Sequence, residues 1–270
     1  MPELPEVQTV VNDLCKIIIG KEIIQIEEFY PNTLRITCEE SNYCSVVSAV
    51  ERRGKYILIL LENNYAIIVH LRMTGKLIYE ENDQELLKHE RARIYFNDDT
   101  YLRFDDVRTF GTIDCLNQNE FPQYFAKLGI EPLSDEFNYQ YLKDKMKTIN
   151  SPVKSFLLDQ SKIAGLGNIY VCEALFRAKI YPLTAAKNVK LNQIKKLVQE
   201  IRSVLIQAIE CNGTTISDYR RVDDKTGTFQ NFLQVYGKNV CTKGHKIEKV
   251  KIGGRSTYYC PVCQSNVSKV

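Results

Sequence analysis

Apolar side chains at Val7, Val10, Val11, Leu14 and Ile18 recur every three or four residues and stop at Gly20, which predicts an amphipathic helix over 4–19. The period then shortens. "IIQIEEF" (23–29), "VVSAVERR" (46–53), "KYILILL" (55–61), "YAIIVHL" (65–71), "RARIYF" (91–96) and "TYLRFDD" (100–106) are short, β-branched or aromatic, and separated by turn residues such as "NDD" at 97–99. Many short strands at this spacing predict a β-sandwich. After about Pro132 the period turns helical, and Leu191, Ile194, Leu197, Val198, Ile201, Leu205, Ala208 and Ile209 mark a long helix ending at Asn212-Gly213. Upstream, Ser151 and Pro152 read as the N-cap and first position of one helix, and Asn168 as the cap of the next. The expected class is α+β: an N-terminal β-sandwich with flanking helices over 1–132, a helical domain with a helix-two-turn-helix over 133–235, and a terminal β-hairpin over 236–270.

A chain of 270 residues with 44% hydrophobic content supports two sizeable domains and a small appendage. Its longest apolar runs, such as 56–61, have strand length, and no basic segment followed by an apolar one opens the chain, so no membrane partner and an intracellular protein are expected. Cys15, Cys38, Cys44, Cys115, Cys172 and Cys211 lack a pairing rhythm, which argues against a disulfide framework. Net charge is only +3, but residues 236–270 hold seven Lys or Arg against Glu248 alone, leaving the first 235 residues acidic. A basic terminal module is a polyanion-binding pattern, although a solvated lysine-rich face is its commoner meaning.

That module ends in "CTKGHKIEKVKIGGRSTYYCPVC". Cys260-x2-Cys263 after a hairpin, with Cys241-x3-His245 ahead of it, is a zinc signature, so one structural Zn²⁺ is expected on these four residues. Gly253-Gly254 is a tight-turn signal that puts Arg255 beside the hairpin tip, within reach of a phosphate.

Together, "MPELPEV", "RRGKYILI", "HLRMTGKL", "KHERARIYF", "DVRTFG", "KSFLLDQSKIAGLGNIYVCEALF", "GTTISDYRRVDDKTGTFQNFLQVYGK" and "GGRSTYYCPVCQ" resemble the formamidopyrimidine-DNA glycosylases, bacterial 8-oxoguanine glycosylases with AP-lyase activity, over essentially the whole chain. The endonuclease VIII group begins similarly but typically has glycine where this chain has Leu4. Two positions depart from the family. Gly244, followed by His245, stands where it usually has its second zinc cysteine, and Arg91 stands where it often has a second histidine.

The resemblance implies a nucleophilic amine at Pro2 once Met1 is removed, with Glu3 as the adjacent acid–base group. An α-amino group has a reference pKa of about 7.7 to 8, so a useful fraction is unprotonated near neutrality. Lys55 is implied at the lesion or its phosphate, and Arg255 completes the catalytic set. His70, His89, Arg108, Lys154 and Asn168 are implied DNA contacts, though on residue type alone the histidines read as packed or surface groups. Met73, Arg108 and Phe110 match the family's residues that fill the gap left by an extruded base, and 214–227 resembles its covering loop. The expected partner is double-stranded DNA containing oxidised bases or abasic sites, bound by a monomer in the bacterial cytoplasm at the nucleoid. An endonuclease VIII-like enzyme for oxidised pyrimidines and a damage-binding protein without turnover are the competing readings.

Overall fold

The computed structural model describes residues 1–36, 38–82, 84–214, 222–223 and 225–265. The chain forms two compact units, Met1–Ala126 with Ile209–Thr228, and Lys127–Ala208 with Phe229–Val270.

In the first unit, helix α1 (Leu4–Ile17) has Pro5 in its first turn and turns its Val7, Val10, Val11 and Leu14 stripe into the core. Two sheets share that core. One has the order β2 (Leu34–Ile36), β9 (Thr112–Asn117), β5 (Tyr65–His70), β4 (Tyr56–Leu61), β3 (Val47–Arg53); the other has β1 (Ile23–Glu28), β7 (Glu90–Phe96), β8 (Tyr101–Asp105), β6 (Lys76–Glu80). All neighbours are antiparallel except β2 and β9. Ile57, Ile59, Ile67, Val69 and Ile113 of one sheet meet Ile26, Ile94, Phe96, Leu102 and Phe104 of the other. Leu58 and Ile68 are buried too, which is why β4 and β5 read as unbroken apolar runs rather than alternations. Strands β2, β6 and β9 were not among the elements predicted. Short helices α2 (Glu40–Tyr43) and α3 (Phe121–Tyr124) complete the unit.

The segment 209–228 returns to this unit: Val222 is fully buried in its core, and Tyr79 N–H donates to the Val222 carbonyl at 3.1 Å.

The second unit contains α4 (Tyr139–Met146), α5 (Val153–Leu158), α6 (Asn168–Arg177), α7 (Leu191–Glu210, its last two residues excepted) and the hairpin β10 (Glu248–Ile252) and β11 (Arg255–Tyr259). Helix α7 buries Ile194, Leu197, Val198, Ile201, Leu205 and Ala208 as its period predicts, while Leu191 at its start is exposed. Between α5 and α6, Gln160 Nε2 donates to the Leu158 and Leu166 carbonyls at 3.0 and 2.8 Å, and its Oε1 accepts from Gly165 N–H at 2.9 Å. These bonds satisfy the turn's backbone and fix the helix-two-turn-helix. Its caps differ from expectation. Pro152, not Ser151, is the α5 N-cap, because residue 152 bridges to Ala185 in extended conformation. Gly167 caps α6, and Asn168 is its first residue, with its amide used elsewhere.

Glu173 of α6 is fully buried and accepts from the N–H groups of Gln234, Val235 and Tyr236 at 3.0, 3.0 and 2.8 Å. An amide keeps only one acceptor oxygen and points two donors at these N–H groups. Glu173→Gln is therefore expected to lower unfolding free energy by roughly 2–4 kcal/mol in urea titration, and a loss below ~0.5 kcal/mol would contradict this account.

Candidate active site and metal centre

The chain's opening residues are packed, not loose. Pro2 and Glu3 are buried, and Glu3 N–H donates to Glu6 Oε2 at 2.8 Å. The other Glu6 oxygen accepts from Thr214 N–H at 2.7 Å, so one carboxylate holds both the start of α1 and the base of the 214–227 segment. Most of that segment, 215–221 with 224, lies outside the described residues.

One turn along α1, Gln8 Oε1 accepts from Arg52 Nε at 2.8 Å, and Arg52 Nη1 donates to the Gly54 carbonyl at 3.0 Å. This anchors the β3–β4 turn, where Gly54 takes φ 59° and Lys55 is only 8% exposed. Lys55 is thus a buried turn residue, not a solvated lysine at a sheet edge.

His70 ends β5 opposite Tyr56, whose ring it meets edge-on at 4.4 Å. Its Nδ1 accepts from Arg72 N–H at 2.9 Å. Burial first, then the charges of Arg72 and Lys55, push its pKa down to about 3. A neutral ring accepting at Nδ1 carries its proton on Nε2, so His70 is a pH-insensitive N–H donor. His89 is half-buried, and its Nδ1 lies 3.4 Å from Arg91 Nη2. Arg91 also donates to the Asp106 carbonyl at 2.7 Å and stacks 4.8 Å from the Tyr30 ring centre. Where the family often has histidine, this chain therefore has an arginine tied into the framework.

Met73, Arg108 and Phe110 come together. Arg108 Nη1 lies 3.1 Å from Met73 Sδ, and its guanidinium sits 5.1 Å from the Phe110 ring centre. Arg108 is exposed and Phe110 is 54% exposed, an unusual position for a large aromatic. The backbone beneath is strained: Arg72 has φ 51° and Thr109, β-branched, has φ 57°. Such positions cost on the order of 1–3 kcal/mol each and persist only where neighbours hold them. Arg72 is held through its N–H on His70 Nδ1, and Asp106, 1% exposed, holds the Thr109 loop, accepting hydrogen bonds from Thr74 Oγ1 and the N–H groups of Arg108, Phe110 and Gly111. Hydrogen bonds to a charged group contribute about 1.5–3 kcal/mol each, enough to offset the strain.

In the second unit, Lys154 does not present its ammonium to solvent as a phosphate contact would. It is fully buried, donating to Thr257 Oγ1 at 2.6 Å and the Ser256 carbonyl at 3.3 Å. Asn168 Nδ2 donates to the same carbonyl at 2.9 Å. Both helices of the helix-two-turn-helix thereby grip β11 one residue after Arg255. Gly253 and Gly254, at φ 55° and 74°, make the two-residue turn that leaves Arg255 exposed beside the tip.

Cys241 Sγ, His245 Nδ1, Cys260 Sγ and Cys263 Sγ all lie within 4.8 Å of one another. The separations 241–245, 245–263 and 241–263 are 3.7, 3.4 and 4.0 Å, each within about 0.2 Å of the roughly 3.5 to 3.8 Å edges of a tetrahedral zinc site with nitrogen and sulfur ligands. Lys243 N–H and Cys263 N–H point at Cys241 Sγ and Cys260 Sγ at 3.4 and 3.3 Å, as suits thiolates. The donors fit zinc. Gly244 explains the offset from four cysteines. Its backbone turns at φ 79°, with nothing within 4 Å of where a Cβ would stand, so conformation rather than crowding calls for glycine there, and the turn brings His245 back to Cys241.

Asp106 and Glu173 are too quiet in sequence to single out, and Glu6 reads there only as an acid suited to the start of a helix; the burial of all three is invisible in composition. An acid on the apolar face of "YVCEALF", and an aspartate four and five residues ahead of Phe110-Gly111, were the available signals.

Family models match this chain along most of its length: the formamidopyrimidine-DNA glycosylase N-terminal domain over 1–113, the formamidopyrimidine-DNA glycosylase H2TH domain over 128–220, and the zinc finger found in FPG and IleRS over 244–266. A formamidopyrimidine-DNA glycosylase of Ureaplasma parvum serovar 3 is 40% identical, covering 98% of this chain and all of the relative. A mutant Lactococcus lactis FPG in complex with Fapy-dG containing DNA superposes with TM-score 0.92 at 37% identity, covering 98% of this chain and 100% of that one. The wild-type Lactococcus lactis enzyme with oxidised-pyrimidine containing DNA gives 0.91 at 36%, with the same coverage. The matching zinc-finger family and the four-donor cluster together establish a structural zinc.

His70 carries a pH signature. Its folded pKa of about 3 lies below the usual 6.5, so its contribution is complete above pH ~6.5 and is lost as pH falls toward ~3, where the unfolded chain takes up the proton first. His70→Gln is expected to make stability fall less steeply between pH 7 and 4, by up to about 1.4 kcal/mol per pH unit, in denaturant titrations across that range. Parallel curves would contradict the buried neutral ring. At the metal, Gly244→Ala forces a Cβ into left-handed backbone at a cost of roughly 1–2 kcal/mol, so zinc affinity by competitive chelator titration is expected to fall about tenfold. An unchanged affinity would remove the turn's role.

Proposed function

Because the chain belongs to the formamidopyrimidine-DNA glycosylase family, and is with it a DNA glycosylase and AP lyase of base excision repair, we propose that it removes oxidised purines, 8-oxoguanine and formamidopyrimidines, through an imine on the Pro2 nitrogen. The observation carrying this reading is the enclosure of Pro2 and Glu3, with Glu3 N–H fixed by Glu6. The Glu3–Glu6 bonds are the capping box that starts α1, so it is the burial of Pro2 ahead of that cap that sets this terminus apart from a frayed one.

With Met1 removed, the Pro2 amine attacks C1′ of the deoxyribose and the base leaves with a proton. Glu3 protonates the ring oxygen, which opens the sugar and leaves an iminium cation. A secondary amine reaches this cation without losing a further proton. The cation acidifies C2′, and successive eliminations expel the 3′ and then the 5′ phosphate, so excision and strand cleavage share one covalent intermediate. Lys55 supplies a positive charge at the lesion or its phosphate. His70 and His89 are proposed DNA contacts, His70 through its fixed Nε2–H. Arg255 grips a phosphate, while Lys154 and Asn168 hold β11 behind it. Met73, Arg108 and Phe110 fill the gap left by the extruded base.

Zinc, on Cys241, His245, Cys260 and Cys263, stabilises the fold of the hairpin that presents Arg255 and does no chemistry. On this reading 1–132 is the catalytic domain, 133–235 the helical DNA-binding domain and 236–270 the zinc finger, in an enzyme that works as a monomer on DNA in the bacterial cytoplasm. Among the described residues no helix is long and apolar enough to cross a membrane. Oxidised pyrimidines are a second substrate class, favoured by the related enzyme's complex with such DNA.

Borohydride reduction in the presence of 8-oxoguanine and dihydrothymine duplexes tests the reading directly. Covalent capture is expected with 8-oxoguanine, and a retained N-terminal tag is expected to abolish capture while duplex binding survives. Capture that persists with a blocked terminus would move the nucleophile to a lysine, and capture on dihydrothymine alone would reverse the substrate assignment.

A further inference from the structure

We propose that Asp106 is a positioning residue for base extrusion: its carboxylate locks two loops in the arrangement that stands Met73, Arg108 and Phe110 together before DNA arrives. The proposal rests on the reading of those three side chains as the gap-filling wedge.

The carboxylate's acceptor capacity is fully used, and every bond serves a wedge loop. Oδ1 accepts from Thr74 Oγ1 and, at 3.1 Å, from Arg108 N–H. Oδ2 accepts from Phe110 N–H at 2.9 Å and Gly111 N–H at 2.8 Å. An ionised carboxylate offers about four acceptor positions, so nothing is left for solvent, and the side chain is 1% exposed. Thr74 closes the circuit, since its hydroxyl oxygen also accepts from Arg108 N–H at 3.1 Å. Residues adjacent to Met73 and the backbones of Arg108 and Phe110 are thereby referred to one buried charge.

The surrounding shape serves the same end. A Cβ on Gly111 would lie 2.4 Å from the Phe104 ring and 3.2 Å from Asp106 Oδ2, and one on Gly75 would lie 2.5 Å from the Leu71 carbonyl oxygen. Both glycines let the loops close onto the carboxylate. The left-handed Thr109 backbone lies between two residues, Arg108 and Phe110, whose N–H groups the carboxylate holds. A wedge ordered in advance forfeits no conformational freedom when it enters the base stack. This advantage is felt where a paired base must be displaced, and far less at an abasic site, so Asp106 acts on one step of the reaction.

Single-turnover kinetics on two duplexes, one with 8-oxoguanine opposite cytosine and one with a preformed abasic site, separate these steps. Arg108→Ala checks the underlying reading first: it must slow excision more than abasic-site cleavage. Asp106→Asn, which keeps shape but turns an amide toward N–H donors, is then expected to lower the excision-to-cleavage ratio about tenfold, as loss of a charge-assisted bond predicts. Thr74→Val is expected to act in the same direction and Thr74→Ser to restore the ratio. Asp106→Asn is expected to add little on an Arg108→Ala background, because both act through one wedge. Equal slowing of both duplexes by Asp106→Asn and Thr74→Val, with Arg108→Ala still selective, would overturn the role of Asp106 alone. An unselective Arg108→Ala would overturn the wedge reading and the proposal with it. If Asp106→Asn fails to fold, the Thr74 pair decides the matter.

Discussion

Hydrogen bonds from loop N–H groups to carboxylates buried behind them are the interaction on which the functional surface depends. Glu6 receives the N–H groups of Glu3 and Thr214, Asp106 those of Arg108, Phe110 and Gly111, and Glu173 those of Gln234, Val235 and Tyr236. A carboxylate satisfies up to about four donors at once, and each charge-assisted bond contributes more than a neutral one. Backbone N–H groups in segments with no helix or strand partner of their own thereby gain fixed acceptors. Reactive and DNA-facing groups need such segments, because a ladder would commit their backbone and fix which way their side chains face.

The same economy governs the zinc hairpin. Two glycines at its tip and one inside the knuckle supply left-handed turns, and a cluster of four donors reinforces the small apolar cluster that Val235, Ile247, Cys241 and Cys260 share with Cys172 and Phe176 of α6. Lys154 and Asn168 add polar struts to Ser256 and Thr257, so the arginine beside the tip stands on a strand held from two helices.

Local patterns were legible in the sequence, and distant partnerships were not. The α1 and α7 stripes, the runs of β4 and β5, and the Cys-His-Cys-Cys spacing are each contained in a few neighbouring residues, so period or spacing exposes them. Strand β9, "TIDCLN", hides an Asp114 that pairs with Arg35 across 79 positions, and so looks like polar loop. Strand β2 has only three residues and exists because β9 lies parallel beside it. The caps at 151–152 and 167–168 shifted by one residue because Pro152 is drawn into a bridge and the Asn168 amide into β11. Of the site, residue types and motifs indicated Pro2, Lys55, Met73, Arg108 and Phe110 through resemblance. What holds them did not show: Glu6 and Thr214 are 208 residues apart, and a charged residue in composition reads as surface.

The reacting atom is the centre of this account, and mass mapping of the reduced DNA adduct tests it most directly. After borohydride reduction on an 8-oxoguanine duplex and digestion, the sugar remnant is predicted on the peptide that begins at Pro2, attached to its nitrogen. A remnant on the peptide containing Lys55, with the Pro2 peptide unmodified, would contradict the account.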